Sequence, residues 1–96
     1  MVCVFAQVTT ASISGKVTDA QGALQGVAVV AVHEPTGAQF YAITDASGYF
    51  YLTNITAGGP YNVKVSCLGY KDVTYTDINV ALSDNYVINP SMTEES

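Results

Sequence analysis

From Tyr61 to Cys67 the chain reads Tyr-Asn-Val-Lys-Val-Ser-Cys, with apolar and polar residues in near-strict alternation. Successive side chains of a β-strand point to opposite faces, so this pattern makes one face for a core and one for water, and it suits no helix. Every strong periodicity in the sequence has this period of two. No stretch of eleven residues repeats apolar positions at helical spacing between capping residues. The expectation is an all-β chain. Its 96 residues make one domain, which can hide roughly two thirds of the surface it would expose unfolded, so a single core can hold it without metal or disulfide staples.

The first strand covers residues 12–18, with Ile13 and Val17 on one face and Ser14 and Lys16 on the other. Asp19, Ala20, Gln21 and Gly22 then turn the chain. Residues 27–33 (VAVVAVH) are apolar at both parities, which predicts a central strand, buried by the core on one side and flanked on the other. Pro35 and Gly37 end it, and residues 38–44 (AQFYAIT) return as its hairpin partner. A second turn at Asp45, Ala46, Ser47 and Gly48 leads into a strand over 49–53, with Phe50 and Leu52 inward and Ile55 closing the core after Asn54. Residues 56–60 (TAGGP) read as a sharp loop stiffened by Pro60. In the next strand Tyr61, Val63 and Val65 face the core while Asn62, Lys64 and Ser66 face water, with Tyr61 a structural anchor of the tyrosine-corner kind. Gly69 turns the chain, and strands over 73–82 and 86–92 finish it. Pro90 stands where an inward apolar residue is expected. Proline lacks the N–H that a ladder needs, so the last strand kinks there or lies at a sheet edge. About seven short strands with turn residues between them describe a β-sandwich with Greek-key connections.

Charge and residue counts remove much chemistry. Lys+Arg total 3 against Asp+Glu 8, a net charge of -5, so there is no basic patch to neutralise phosphates, and nucleic acid and anionic membrane surfaces are poor partners. No segment has the length of a membrane-spanning helix. His33 is the one histidine, which leaves zinc hydrolysis and histidine-based triads without parts. His33, Glu34, Asp45 and Asp19 are the residues a polar site could draw on, but polar residues at strand ends are ordinary, and no catalytic, cofactor or metal site is assigned. Asp45 and Ser47 offer too few carboxylates for calcium, which takes six or more oxygens. Lys16 with Asn85 or Asn89 raises an isopeptide crosslink. That chemistry needs a buried acid between them, which residues 61–67 lack, and Lys16 falls in the outward phase. Asn54-Ile55-Thr56 is a formal glycosylation acceptor, read as coincidence.

Residues 1–6 (MVCVFA) read as the end of an export signal, with Val4 and Ala6 at the small-residue positions before cleavage ahead of Gln7; the alternative is an edge strand through Val2, Val4 and Phe5. Cys3 lies in that remnant without a lipid-attachment box. Cys67 is then alone in the mature domain, which argues for a buried, inert thiol. The domain spans residues 7–93, and residues 94–96 read as the start of a linker. Among the seven tyrosines, Tyr41, Tyr49 and Tyr51 alternate away from the core on neighbouring strands. They form the candidate interaction face, an aromatic strip for sugar rings or a protein, set against the ordinary preference of tyrosine for half-buried strand positions.

The ordered series Ile13-Ser-Gly-Lys-Val-Thr-Asp19, Gly22, Leu24, Gly26-Val27, Thr44-Asp45, Gly48-Tyr-Phe50, Gly59-Pro-Tyr61, Val65-Ser66 and Gly69-Tyr70 resembles the carboxypeptidase regulatory-like family. The resemblance covers residues 8–95 and implies a prealbumin-like (transthyretin-like) seven-stranded Greek-key sandwich with no enzymatic activity and no cofactor. The runs 29–37 (VVAVHEPTG) and 58–70 (GGPYNVKVSCLGY) are similar to the N-terminal extension of Bacteroidetes TonB-dependent outer-membrane receptors, the Oar-like and SusC-like proteins. This likeness implies export, a place on the periplasmic face of the outer membrane, and contact with the membrane only through the rest of the chain. Its partners would be the plug or barrel of the same receptor, or a periplasmic protein. The alternatives are a carbohydrate-binding or adhesive module of a secreted protein, and the stabilising domain of a secreted metallopeptidase.

Overall fold

The computed structural model describes residues 10–95, and no helix occurs among them. The export-signal remnant over residues 1–6, its alternative as an edge strand, and Cys3 lie outside the described residues. Nine strands follow in order: β1 (Thr10–Lys16), β2 (Thr18–Asp19), β3 (Gly22–Ala23), β4 (Ala28–His33), β5 (Ala38–Ile43), β6 (Tyr49–Thr56), β7 (Gly58–Ser66), β8 (Val73–Val80) and β9 (Asn85–Ile88). They form a three-stranded sheet ordered β6-β1-β9, a four-stranded sheet ordered β5-β4-β7-β8, and the small β2-β3 ribbon. The chain therefore crosses between the two larger sheets after β3, β5, β6 and β8. As the doubly apolar run predicts, β4 is internal, paired with β5 on one side and β7 on the other.

Alternation decides what lies between the sheets. Ile13, Phe50, Leu52, Ile55 and Ile88 from one sheet, and Val29, Ala31, Tyr61, Val63, Val65, Ile78 and Val80 from the other, share one hydrophobic core. The Tyr61 hydroxyl donates to the Thr56 carbonyl at 2.5 Å, which satisfies the polar tip of an otherwise fully buried ring. The inward set of β6 steps from Leu52 to Ile55, an odd interval that simple alternation forbids. The ladder accounts for it: Ala11 pairs with Ile55 but Ile13 with Leu52, so β6 carries an extra residue, and Asn54 takes φ 55° at this bulge. A similar irregularity opposite Tyr61 and Val63 places Asp77 at φ 57° on β8, and brings Ile78 and Val80 inward. Asn and Asp tolerate this left-handed conformation better than other side chains.

The region read as a loop, residues 56–60, is mostly strand. β6 runs through Thr56 and β7 begins at Gly58, leaving Ala57 as the crossing point between sheets. The last strand ends earlier than expected, at Ile88, and among the described residues it pairs only with β1, in parallel, so Pro90 follows an edge strand of that sheet and is itself fully buried. The Ile88 carbonyl folds over Gly15, so close that a Cβ on Gly15 would lie 1.6 Å from that oxygen and 3.1 Å from the Phe50 ring. Beyond it, Thr18 N–H donates to the Pro90 carbonyl and Met92 N–H to the Thr18 carbonyl. The polar tail continues this pairing, with Lys71 N–H on the Thr93 carbonyl and Glu95 N–H on the Gly69 carbonyl.

Candidate functional site

Tyr49 and Tyr51 flank Phe50 on β6, so the alternation that buries Phe50 turns both tyrosines outward. Their ring centroids are 6.5 Å apart with planes 21° from parallel, and they are 42% and 61% exposed. The neighbouring strand β1 places Lys16 opposite Tyr49 and Ser14 opposite Tyr51. The Lys16 ammonium sits 5.4 Å from the centre of the Tyr49 ring, within reach of a cation–π attraction. On the far side of β1, Asn85 Oδ1 accepts hydrogen bonds from the hydroxyls of Ser12 at 2.8 Å and Ser14 at 3.1 Å. Asn89 Oδ1 accepts from the Lys16 backbone N–H at 3.3 Å. The outer face of the three-stranded sheet is thus an aromatic pair bordered by a row of hydroxyl and amide groups.

Tyr41 does not belong to this face. Although β5 and β6 are consecutive in the chain, the crossing after Ile43 puts them in different sheets, and Tyr41 lies on the outer side of the four-stranded one, opposite Val30. It is 63% exposed, beside Ile43 on the same side of its strand. The expected strip of three tyrosines on neighbouring strands is therefore a pair plus a separate residue, because the two sheets show their outer faces in opposite directions.

The four polar candidates also separate. His33 and Glu34 lie at one end of the β4-β5 hairpin and Asp45 at the other, since His33 pairs with Ala38 while Ala28 pairs with Ile43. Each has a structural partner. His33 Nδ1 meets Thr36 Oγ1 at 2.7 Å and its ring packs against Tyr61, while Asn62 donates to Glu34. Asp45 Oδ1 accepts the N–H groups of Ser47 at 2.9 Å and Tyr49 at 3.0 Å, which fixes the turn that delivers Tyr49. Asp19 accepts from Gln21 N–H at 2.8 Å and from the Tyr70 hydroxyl at 2.7 Å. The Tyr70 bond, aided by Gln21, holds the Asp19 carboxyl below its usual range, and the same bond pushes the Tyr70 phenol up to about 12. Among the described residues, no three His, Cys, Asp or Glu side chains are grouped to hold a metal ion. Cys67 is a free, half-buried thiol packed against the core.

Thr44 and Tyr70 gave no sign of their roles in the sequence. Thr44 is buried, and its hydroxyl accepts from Val27 N–H at 2.9 Å while donating to the Leu24 carbonyl at 2.8 Å. Tyr70 reaches Asp19 across 51 positions of chain.

The profile of the carboxypeptidase regulatory-like domain matches residues 12–93. The chain belongs to this family. Comparison with curated proteins returned no match. Among solved structures, a chain of a type II cohesin–X-dockerin complex from Acetivibrio cellulolyticus aligns with TM-score 0.70 and 21% identity, over 86% of this chain and 57% of that one. A candidate carbohydrate-binding protein from Bacteroides uniformis aligns with TM-score 0.66 and 18% identity, over 88% and 42%. The catechol 1,2-dioxygenase of Acinetobacter radioresistens aligns with TM-score 0.69 and 13% identity, over 93% and 53%. This regulatory-like domain therefore spans less than two thirds of each of these chains. At such identities the likeness establishes the β-sandwich alone, a fold that carries docking, sugar-binding and catalytic proteins alike.

Proposed function

We propose that this domain is a non-catalytic interaction module, the N-terminal extension of an exported TonB-dependent outer-membrane receptor, facing the periplasm. The observation that carries the non-catalytic part is the engagement of the candidate acid–base side chains. His33, Glu34, Asp45 and Asp19 are spread over separate ends of the fold, and each is held by a hydrogen bond that serves a turn or a strand end. Acid–base work needs groups that converge on one reacting atom. The receptor placement is supported by the motif runs over residues 29–37 and 58–70 and by family membership, since these domains are appended to larger exported proteins. In this reading the module works by contact, offering a sheet edge or an outer face to the plug, the barrel or a periplasmic protein.

Reading the open frame beyond Ser96 tests the placement. A plug followed by a long series of amphipathic strands supports it. A zinc peptidase domain downstream, or a frame that ends or enters another soluble domain, overturns the receptor role. A second reading, a sugar-binding module, is favoured by the exposed Tyr49–Tyr51 pair and its polar border.

A further inference from the structure

We propose that the outer face of the three-stranded sheet, centred on Tyr49 and Tyr51, binds a neutral polysaccharide chain. The inference goes beyond the receptor reading and stands whether or not a barrel follows the domain. Two nearly parallel phenol rings, both exposed and Tyr51 the more so, suit the mixed surface of a sugar, whose C–H face packs on an aromatic ring while its rim of hydroxyls needs partners. Those partners stand in the adjacent rows. Asn85 spends its carbonyl oxygen on Ser12 and Ser14, which aligns the amide and leaves its N–H pair as donors, and Thr53 extends the hydroxyl row beyond Tyr51.

Charge decides the class of ligand. The domain has a net charge of -5, which disfavours a polyanionic chain anywhere on its surface. On this face the outward positions of β1, β6 and β9 carry one charge, Lys16, among uncharged residues that include Ser12, Ser14, Tyr49, Tyr51, Thr53, Asn85 and Val87. The two acids at its ends hold turns and keep their negative charge, Asp45 accepting from the Ser47 and Tyr49 N–H groups and Asp84 from the Asn85 N–H. With one ammonium at the aromatic pair and a carboxylate at either end, the face gathers no cluster of one sign to recognise an ionic ligand, and the net charge of the domain repels a polyanion. An uncharged chain of hydroxyl-bearing rings needs no such cluster and meets no such repulsion. A protein partner is less well served, because the fully buried core of an interface is rich in apolar area, whereas among the described residues this face offers Val87 as its only aliphatic side chain.

The fold supplies its own control. Tyr41 is the same residue type at nearly the same exposure, 63% against 61% for Tyr51, on the opposite outer face. Affinity electrophoresis of the full chain through gels containing amylopectin, laminarin, galactomannan or hydroxyethylcellulose reads the binding directly. At least one of these polymers is expected to retard the protein, equally at low and high salt. The Tyr51→Ala variant should weaken that binding by about tenfold, roughly the loss of one good contact, while Tyr41→Ala leaves it unchanged. Thermal unfolding of both variants shows that each remains folded, as substitution at positions this exposed allows. The proposal fails if no polymer retards the protein, if salt abolishes the retardation, or if Tyr51→Ala binds as well as Tyr41→Ala.

Discussion

Replacing Thr44 by valine changes almost nothing in volume and removes one hydroxyl, yet it should be among the most damaging substitutions in the domain. The Thr44 side chain is buried, and its oxygen receives the N–H of Val27, a residue with no solvent exposure, while its proton goes to the Leu24 carbonyl. Valine leaves both backbone groups without that partner. A buried donor or acceptor stripped of its bond costs about 1–3 kcal/mol, and here one of the two is fully enclosed, so a total of about 3 kcal/mol is expected. In a domain of this size that corresponds to a fall in melting temperature of roughly 10–25 °C. Thr44→Ser separates the hydroxyl from the methyl: it keeps both bonds and gives up about 0.8 kcal/mol for one buried carbon. Urea unfolding of the three proteins, followed by tyrosine fluorescence, measures the difference. If Thr44→Val matches the wild type, or falls no further than Thr44→Ser, the account of Thr44 as a backbone bridge is wrong.

Three further outcomes follow from other contacts. Gly15→Ala places a methyl where the Ile88 carbonyl already lies, 1.6 Å from the new carbon, so β9 must move off β1; a loss of about 1–3 kcal/mol or more is expected in urea unfolding, and wild-type stability would refute the close approach. Tyr61→Phe keeps the ring and deletes the bond to the Thr56 carbonyl, for an expected loss of about 1 kcal/mol and a lower urea midpoint. The Tyr70–Asp19 bond predicts a pH signature. Asp19 has a lowered carboxyl pKa when folded, so its contribution is present above the unfolded value and is lost as pH falls through the folded one; Tyr70 is raised to about 12, so its share is present below the ordinary value of 10.0 and is lost as pH rises towards 12. The stability gap between wild type and Tyr70→Phe should therefore be widest and level at neutral pH and close at both extremes, and a gap unchanged in acid would count against the bond.

Much of the fold was legible because alternation is a local property. Phe50, Leu52, Tyr61, Val63 and Val65 could be assigned inward from their spacing alone, and all five are buried. Pro90 likewise marked a kink or a sheet edge, since a missing N–H is a chemical fact that no tertiary contact can alter, although the strand stops at Ile88, before the proline is reached. Less was legible where a strand changes phase. The step from Leu52 to Ile55 needs the bulge at Asn54, and the turn inward at Ile78 needs Asp77 in a left-handed conformation. Both residues tolerate that backbone, but tolerance does not say that it will be used.

The candidate face shows the same division more sharply. Sequence alone determined that Tyr41, Tyr49 and Tyr51 point away from the core and that Lys16 is outward, because each follows from parity within its own strand. Which outward residues share a surface is decided by strand pairing, and pairing depends on contacts between residues far apart in the chain. The crossing between β5 and β6 sent Tyr41 to the opposite face, the parallel pairing of β9 with β1 brought Asn85 beside Ser12 and Ser14, and the pairing of β1 with β6 set Lys16 over Tyr49. Parity fixes a side chain's direction one residue at a time, whereas a surface exists only once the sheets have closed over a common core.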